Sequence, residues 1–152
     1  MGNDKISYHS VEGIPEQIIL DELISLYNAL FEDTNNDLFL SRITNNPDLF
    51  IAIARSAEGI VGFKLGYAIS EHTFYSWLGG VDPDYRKKGI ANQLADIQEQ
   101  WAIDKGFKSL RTKSTNQFKP MMILNLKRGF DIIEVTAVKN GLDKIVFQKS
   151  LS

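Results

Sequence analysis

Arg86, Lys87, Lys88 and Gly89 stand directly ahead of a helical pattern in which Ile90, Leu94, Ile97 and Trp101 recur on one face. Cations beside a glycine at the start of a helix suit one kind of chemistry, the holding of a phosphate. The first helical turn carries backbone N–H groups without intrahelical partners, and the helix dipole adds positive potential there. The basic side chains add formal charge, and Gly89 lets a ligand come up to the main chain. Upstream, Thr73-Phe-Tyr-Ser-Trp-Leu78 has the aromatic content of a buried strand, and Gly79-Gly80 then leaves the backbone bare. Glycine within a strand often marks a bulge or a close main-chain approach. Strand, basic glycine-containing turn and helix together predict a pyrophosphate site. The plainer alternative is a solvated basic turn feeding an ordinary helix.

The chain that must position these residues has 152 amino acids, enough for one domain with a sizeable core, and residues 1–152 are read as one domain. Its 43% hydrophobic and 24% charged content is that of an ordinary soluble globular protein. No run is long enough to span a bilayer and no signal segment is evident, so a membrane association is not expected and a cytoplasmic location is. Met1-Gly2 suggests myristoylation, but Ile6 stands where Ser or Thr is needed. The absence of cysteine excludes a disulfide framework, a thiolate metal site and a cysteine nucleophile. A net charge of −2 argues against nucleic acid as a partner, the basic cluster at 86–88 being local.

Along the chain, Lys5–Ser10 reads as a strand, and a helix opens near Pro15 with Ile19, Leu23, Leu26, Tyr27 and Leu30 on its apolar face up to Phe31. A polar connector, Glu32–Asp37, leads into a short helix ending near Thr44. Residues 49–55 and 60–70 read as a hairpin turning at Ala57-Glu-Gly59, and Thr73–Val81 as the next strand. The long helix stops at Gly106, a strand covers Leu110–Ser114, and a helix from Lys119 is closed by Gly129. Asp131–Val138 and Lys144–Lys149 form a last hairpin across Asn140-Gly141. The predicted order is β-α-α-β-β-β-α-β-α-β-β.

The string Val81-Asp-Pro-Asp-Tyr-Arg-Lys-Lys-Gly-Ile-Ala resembles the R/Q-x-x-G-x-G/A signature of the GNAT superfamily, the acyl-CoA-dependent N-acyltransferases. Asn116 followed by Leu124-Asn-Leu-Lys-Arg-Gly-Phe130 resembles that superfamily's second acyl-CoA motif, a helix ending in Gly-Phe ahead of a strand. The resemblance covers essentially the whole chain and is best over residues 73–130. It implies an α/β (α+β) fold: a twisted, mixed and mostly antiparallel sheet of about seven strands with about four helices. It also implies acetyl-CoA as co-substrate, with pantetheine along the fourth strand where the fourth and fifth strands splay apart. On that pattern Gly79, Gly80 and Val81 meet the pantetheine and acyl carbonyl, and Arg86, Lys87, Lys88, Gly89, Ile90, Ala91 and Asn92 wrap the pyrophosphate. A fixed N–H near Val81 would stabilise the acyl oxyanion. Asn116 aligns with a cofactor-contacting asparagine and is equally placed to cap a helix.

The acid–base positions depart from the pattern. Many members carry a tyrosine where this chain has Asn125, and an amide can offer the thiolate only a hydrogen bond. Counting back in twos from Val81, the strand face presents Gly79, Trp77 and Tyr75, with neither a carboxylate nor an imidazole, and a glutamate position on the fifth strand is Arg111. Tyr75 is the side-chain candidate for touching the acceptor or relaying its proton, with core packing as its alternative. Trp77 is expected to pack or to wall the acceptor pocket. His9 and His72 have no discernible partner and read as surface or strand-end residues.

Asp33, Asn35 and Asp37 mimic the start of a calcium loop, but Leu38 replaces the needed Gly and Thr44 the closing Glu, so no metal is expected. In the superfamily this connector borders the acceptor. Glu32, Asp33 and Asp37 would then favour a cationic amine such as a polyamine, an aminoglycoside or a lysine-bearing peptide; otherwise they form a solvated acidic loop. The expected activity is N-acetyl transfer to an amine of a small molecule or peptide, directly within a ternary complex, by a monomer or homodimer. The alternatives are a silent acyl-CoA-binding or regulatory module, and an interaction subunit that keeps only the fold.

Overall fold

The apolar run Phe50-Ile-Ala-Ile-Ala54 is buried throughout, without the alternation of a half-exposed strand, as expected where both faces of a sheet are covered. A computed structural model describes residues 5–137 and 143–151 of the chain. The strands are β1 (Ser7–Glu12), β2 (Phe50–Ser56), β3 (Gly59–Ala68), β4 (Thr73–Val81), β5 (Ser109–Ser114), β6 (Asp131–Thr136) and β7 (Lys144–Ser150). The helices are α1 (Gln17–Leu30), α2 (Asn36–Thr44), α3 (Ile90–Asp104) and α4 (Lys119–Lys127). The strands form one seven-stranded sheet ordered β1-β2-β3-β4-β5-β7-β6. Antiparallel ladders join β1 to β2, β2 to β3, β5 to β7 and β6 to β7, whereas β4 and β5 run parallel, from Thr73↔Ser109 to Ser76↔Thr112. The predicted element order and the mixed, mostly antiparallel sheet are therefore observed.

The chain divides into two compact units. One takes the residues up to Tyr67 with Leu78–Gln98, and the other takes Ala68–Trp77 with the residues from Glu99 onward. In the first unit α1 buries Leu20, Leu23, Leu26 and Tyr27, so Leu20 joins the expected face while Ile19 and Leu30 of that face are only half-buried, and α2 buries Phe39 and Ile43. The Tyr27 ring stacks on Phe39 at 4.6 Å and meets Phe31 at 5.7 Å. Such pairs add about 0.5–1.5 kcal/mol each beyond the area they bury. Asn35 caps α2 by accepting from Leu38 N at 2.9 Å, while the Tyr27 hydroxyl accepts from Asn35 N at 3.2 Å. The acidic connector between α1 and α2 is thereby tied at its far end to the α1 core.

In the second unit Phe74 lies edge-on to Trp101 at 5.2 Å and to Phe107 at 5.5 Å. Glu99 accepts from Arg128, just past the end of α4, at 3.0 Å and from Lys149 of β7. Removing the carboxylate leaves two part-buried cations facing each other. Glu99→Ala is expected to cost about 2 kcal/mol, between the values for exposed and buried pairs, and to lower Tm by about 4–8 °C in thermal unfolding.

The differences from the sequence reading are local. The first helix begins at Gln17, with Pro15 buried ahead of it, and β1 lies two residues later than expected. A 3-10 turn over Pro83–Tyr85 was not foreseen; the Asp82 side chain caps it by accepting from Asp84 N. Asn116 does not cap α4, whose N-cap position is Phe118. The hairpin tip at Asn140-Gly141 and the myristoylation-like Met1-Gly2 lie outside the described residues. Among the described residues no helix is long and apolar enough to cross a membrane, and no group of three or more His, Cys, Asp or Glu is placed to hold a metal.

Candidate active site

The end of β4 is bare because its neighbours need it to be. A Cβ on Gly79 would lie 3.0 Å from Phe63 O and 3.4 Å from Lys64 Cα, pointing at the main chain of β3. A side chain there would crowd the main chain of β3. A Cβ on Gly80 would come within 2.6 Å of Leu30 Cδ1 and 3.8 Å of Phe31 Cζ, at the end of α1. Both glycines thus answer to intramolecular packing as well as to any ligand. β4 continues past its ladder with β5, from Trp77 to Val81, and Asp82 N then donates to Val61 O at 2.8 Å.

The turn that follows is held from below. Tyr85 is buried, and its hydroxyl lies 3.3 Å from Ser56 Oγ. Lys88 Nζ lies 5.3 Å above its ring, and Arg86 Nε donates to Val81 O at 3.2 Å, folding the turn back onto the strand end. Arg86, Lys87, Lys88 and Gly89 are all exposed. Lys87 has φ 63° and Gly89 φ 80°, so the turn enters the left-handed region twice within three residues. Such a backbone turns successive N–H groups toward one concavity, where an anion is bound. A lysine there is strained by about 1–2 kcal/mol, and strain of this kind collects where a ligand is gripped. Nothing lies within 4 Å of a Cβ built on Gly89, so the space over the turn is open. Gln93 N donates to Gly89 O at 3.0 Å and starts α3, whose inner face buries Ile90 and Leu94 against Gly62. Ile90, Ala91 and Asn92 form the first turn above the concavity.

Lys87→Gly separates the strain from the charge. It is expected to leave folding stability unchanged or raised by about 0.5 kcal/mol, because glycine is at ease at this φ. Binding of a pyrophosphate-bearing ligand should weaken roughly fivefold through the lost cation. Chemical denaturation read beside calorimetric titration checks both.

The first unit also holds the acidic connector: Glu32, Asp33 and Asp37 are exposed, Asp37 lying in the first turn of α2. His9 of β1 has its pKa lowered, by burial first and then by the Arg55 charge, with Glu22 opposing. Arg55 is itself engaged with Glu22 at 3.2 Å, a pair that belongs to the fold.

The remaining candidates fall in the second unit. Tyr75 is buried at 8% exposure, with Lys113 Nζ 5.2 Å from its ring centroid and Arg111 as its partner in the β4–β5 ladder. Trp77 is half-buried. Arg111 donates to Gln148 Oε1 at 2.9 and 2.7 Å, which holds the guanidinium across the β5–β7 ladder. Asn125 is buried on α4, and its carbonyl accepts from Phe130 N at 3.0 Å. Exposed Asn116 donates through Nδ2 to Asp143 Oδ2 at 2.8 Å, leaving its Oδ1 to serve as an acceptor. Asp143 was not singled out from sequence; a lone carboxylate beside a turn carries no signal there.

With this geometry in place, residues 17–130 match the family model described as Acetyltransferase (GNAT) family. An acetyltransferase of Sodalis glossinidius (strain morsitans) is 37% identical over 65 residues, which span 43% of this chain and 44% of that protein. The fold is similar to Arabidopsis thaliana NAA60, solved in complex with a bisubstrate analogue, at TM-score 0.79 and 18% identity over 96% of this chain and 98% of that one. It is likewise similar to an Elizabethkingia anophelis acetyltransferase solved with acetyl-CoA bound, at TM-score 0.74 and 21% identity over 97% and 99%.

Proposed function

This chain belongs to the GNAT acetyltransferase family, and from that premise we propose that it transfers an acetyl group from acetyl-CoA to an amine. The observation that carries the reading is the turn at 86–89: exposed cations, two left-handed residues and open space at the start of α3 suit a pyrophosphate. That acetyl-CoA occupies the similar fold of the Elizabethkingia protein supports the same assignment. Gly79, Gly80 and Val81 are assigned to the pantetheine and acyl carbonyl, and Asn116 to contact with the cofactor.

The chemistry is direct. The neutral amine attacks the thioester carbonyl carbon, and the carbonyl oxygen becomes an oxyanion held by the Val81 N–H. The C–N bond forms, the C–S bond breaks, the amine gives up its proton and the departing thiolate takes one. The products are the acetylated amine and free CoA. Without cysteine in the chain no thioester enzyme intermediate is invoked, and the two reactants meet in one ternary complex. Tyr75 is assigned to relay the amine proton and Asn125 to donate a hydrogen bond to the sulfur. Trp77 is assigned to wall the acceptor pocket.

Glu32, Asp33 and Asp37 give the acceptor side a negative rim, which favours a cationic amine. Exchanging all three for Gln, Asn and Asn tests the acceptor class. KM for a polyamine or a lysine-bearing peptide is expected to rise about tenfold, with KM for acetyl-CoA unchanged and the product identified by mass spectrometry. Equal effects on cationic and neutral amines would remove the rim from the account.

A further inference from the structure

The first unit carries an apolar wall at the place where the acyl group would lie. Leu30 rests so closely on Gly80 that even a Cβ there would stand 2.6 Å from Leu30 Cδ1, and the Phe31 ring lies beside it at 3.8 Å. Val81, whose N–H is assigned the acyl oxygen, is the next residue along the strand. Leu30 and Phe31 are each half-buried, so part of both side chains still borders the strand end from outside the core. The wall is also stiff. Phe31 N donates to Tyr27 O at 3.2 Å, the Phe31 ring meets Tyr27 at 5.7 Å, and Tyr27 stacks on fully buried Phe39 at 4.6 Å. The aromatic rings hold the Phe31 side of the wall, and Leu30 is seated directly on the bare backbone of Gly80.

We propose that Leu30, supported by Phe31, sets the length of the acyl chain, admitting acetyl and excluding longer acyl groups. The inference rests on the reading of Gly80 and Val81 as the acyl end of the CoA site. An acyl group with its oxygen held at Val81 would have Gly80 and the Leu30 seated on it as neighbours, so lengthening the tail brings it against the leucine. Each further methylene must displace the leucine, and pockets of this kind discriminate one methylene by about 10–200-fold.

The test is Leu30→Ala, with acetyl-, propionyl- and butyryl-CoA compared on one amine acceptor. The butyryl-to-acetyl ratio of kcat/KM is expected to rise about tenfold or more over wild type, and an unchanged ratio overturns the proposal. The affinities of the same three thioesters are measured by calorimetry in parallel. A wild type that binds them in the order acetyl, propionyl, butyryl, with Leu30→Ala levelling that order, upholds the wall even where no transfer occurs; absence of transfer then counts against the enzyme reading alone. Leu30→Val is the milder variant, expected to shift both ratios the same way by a smaller factor should Leu30→Ala fail to fold.

Discussion

Gly89→Asp is expected to weaken acetyl-CoA binding about a hundredfold while the protein stays folded. Two effects act together. The residue has φ 80°, so any side chain is strained there, at a cost to stability of about 1–2 kcal/mol. A Cβ would meet nothing within 4 Å, so the new side chain clashes with no atom of the protein and projects into the space assigned to the pyrophosphate. A carboxylate a few ångströms from a phosphate is repelled by about 1–4 kcal/mol, depending on solvent access. Gly89→Ala carries the strain without the charge and is expected to lose only a few-fold in affinity. Calorimetric titration of both variants separates the terms. Equal affinity for Gly89→Asp and wild type would show that the turn holds no phosphate.

Tyr75→Phe is expected to lower kcat about a hundredfold and to leave KM for acetyl-CoA unchanged, the size of effect seen when a positioned proton-transfer group is removed. The family's tyrosine position is Asn125 here, and Arg111 on β5 is bound to Gln148, which leaves Tyr75 as the candidate on the β4 face shared with Trp77 and Gly79. Its burial at 8% and the Lys113 ammonium 5.2 Å from the ring fix the side chain in place. The loss should shrink with amines of low pKa and at high pH, where the nucleophile is already neutral. Full kcat across pH, accompanied only by a lowered Tm, would make Tyr75 a packing residue.

How much of this was legible in the sequence varies with the range of the interaction involved. β4 was bounded to the residue because an aromatic run ends in paired glycines, a signal held within nine positions. α4 was placed by Pro120 at its first turn and by Gly129 after its end, again local punctuation. The turn at 86–89 was found from charge and a single glycine, but the left-handed Lys87 was not, since only glycine announces positive φ in a sequence. What escaped was long-range. Leu30 meets Gly80 across fifty positions, and Asn116 finds Asp143 across 27, where side-chain direction decides and periodicity is silent. The helix start moved from Pro15 to Gln17 because proline suits the residues just ahead of a helix as well as its first turn.

This chain is proposed to move an acetyl group rather than merely to hold its carrier. Free thiol release from acetyl-CoA, followed across polyamines, aminoglycosides, amino acids and lysine-bearing peptides, tests it most directly on protein already shown to bind CoA. Release is expected to require an amine, to saturate with it, and to be fastest for cationic acceptors. Tight CoA binding with no release above the amine-free rate for any acceptor would contradict it and leave a silent acyl-CoA-binding module.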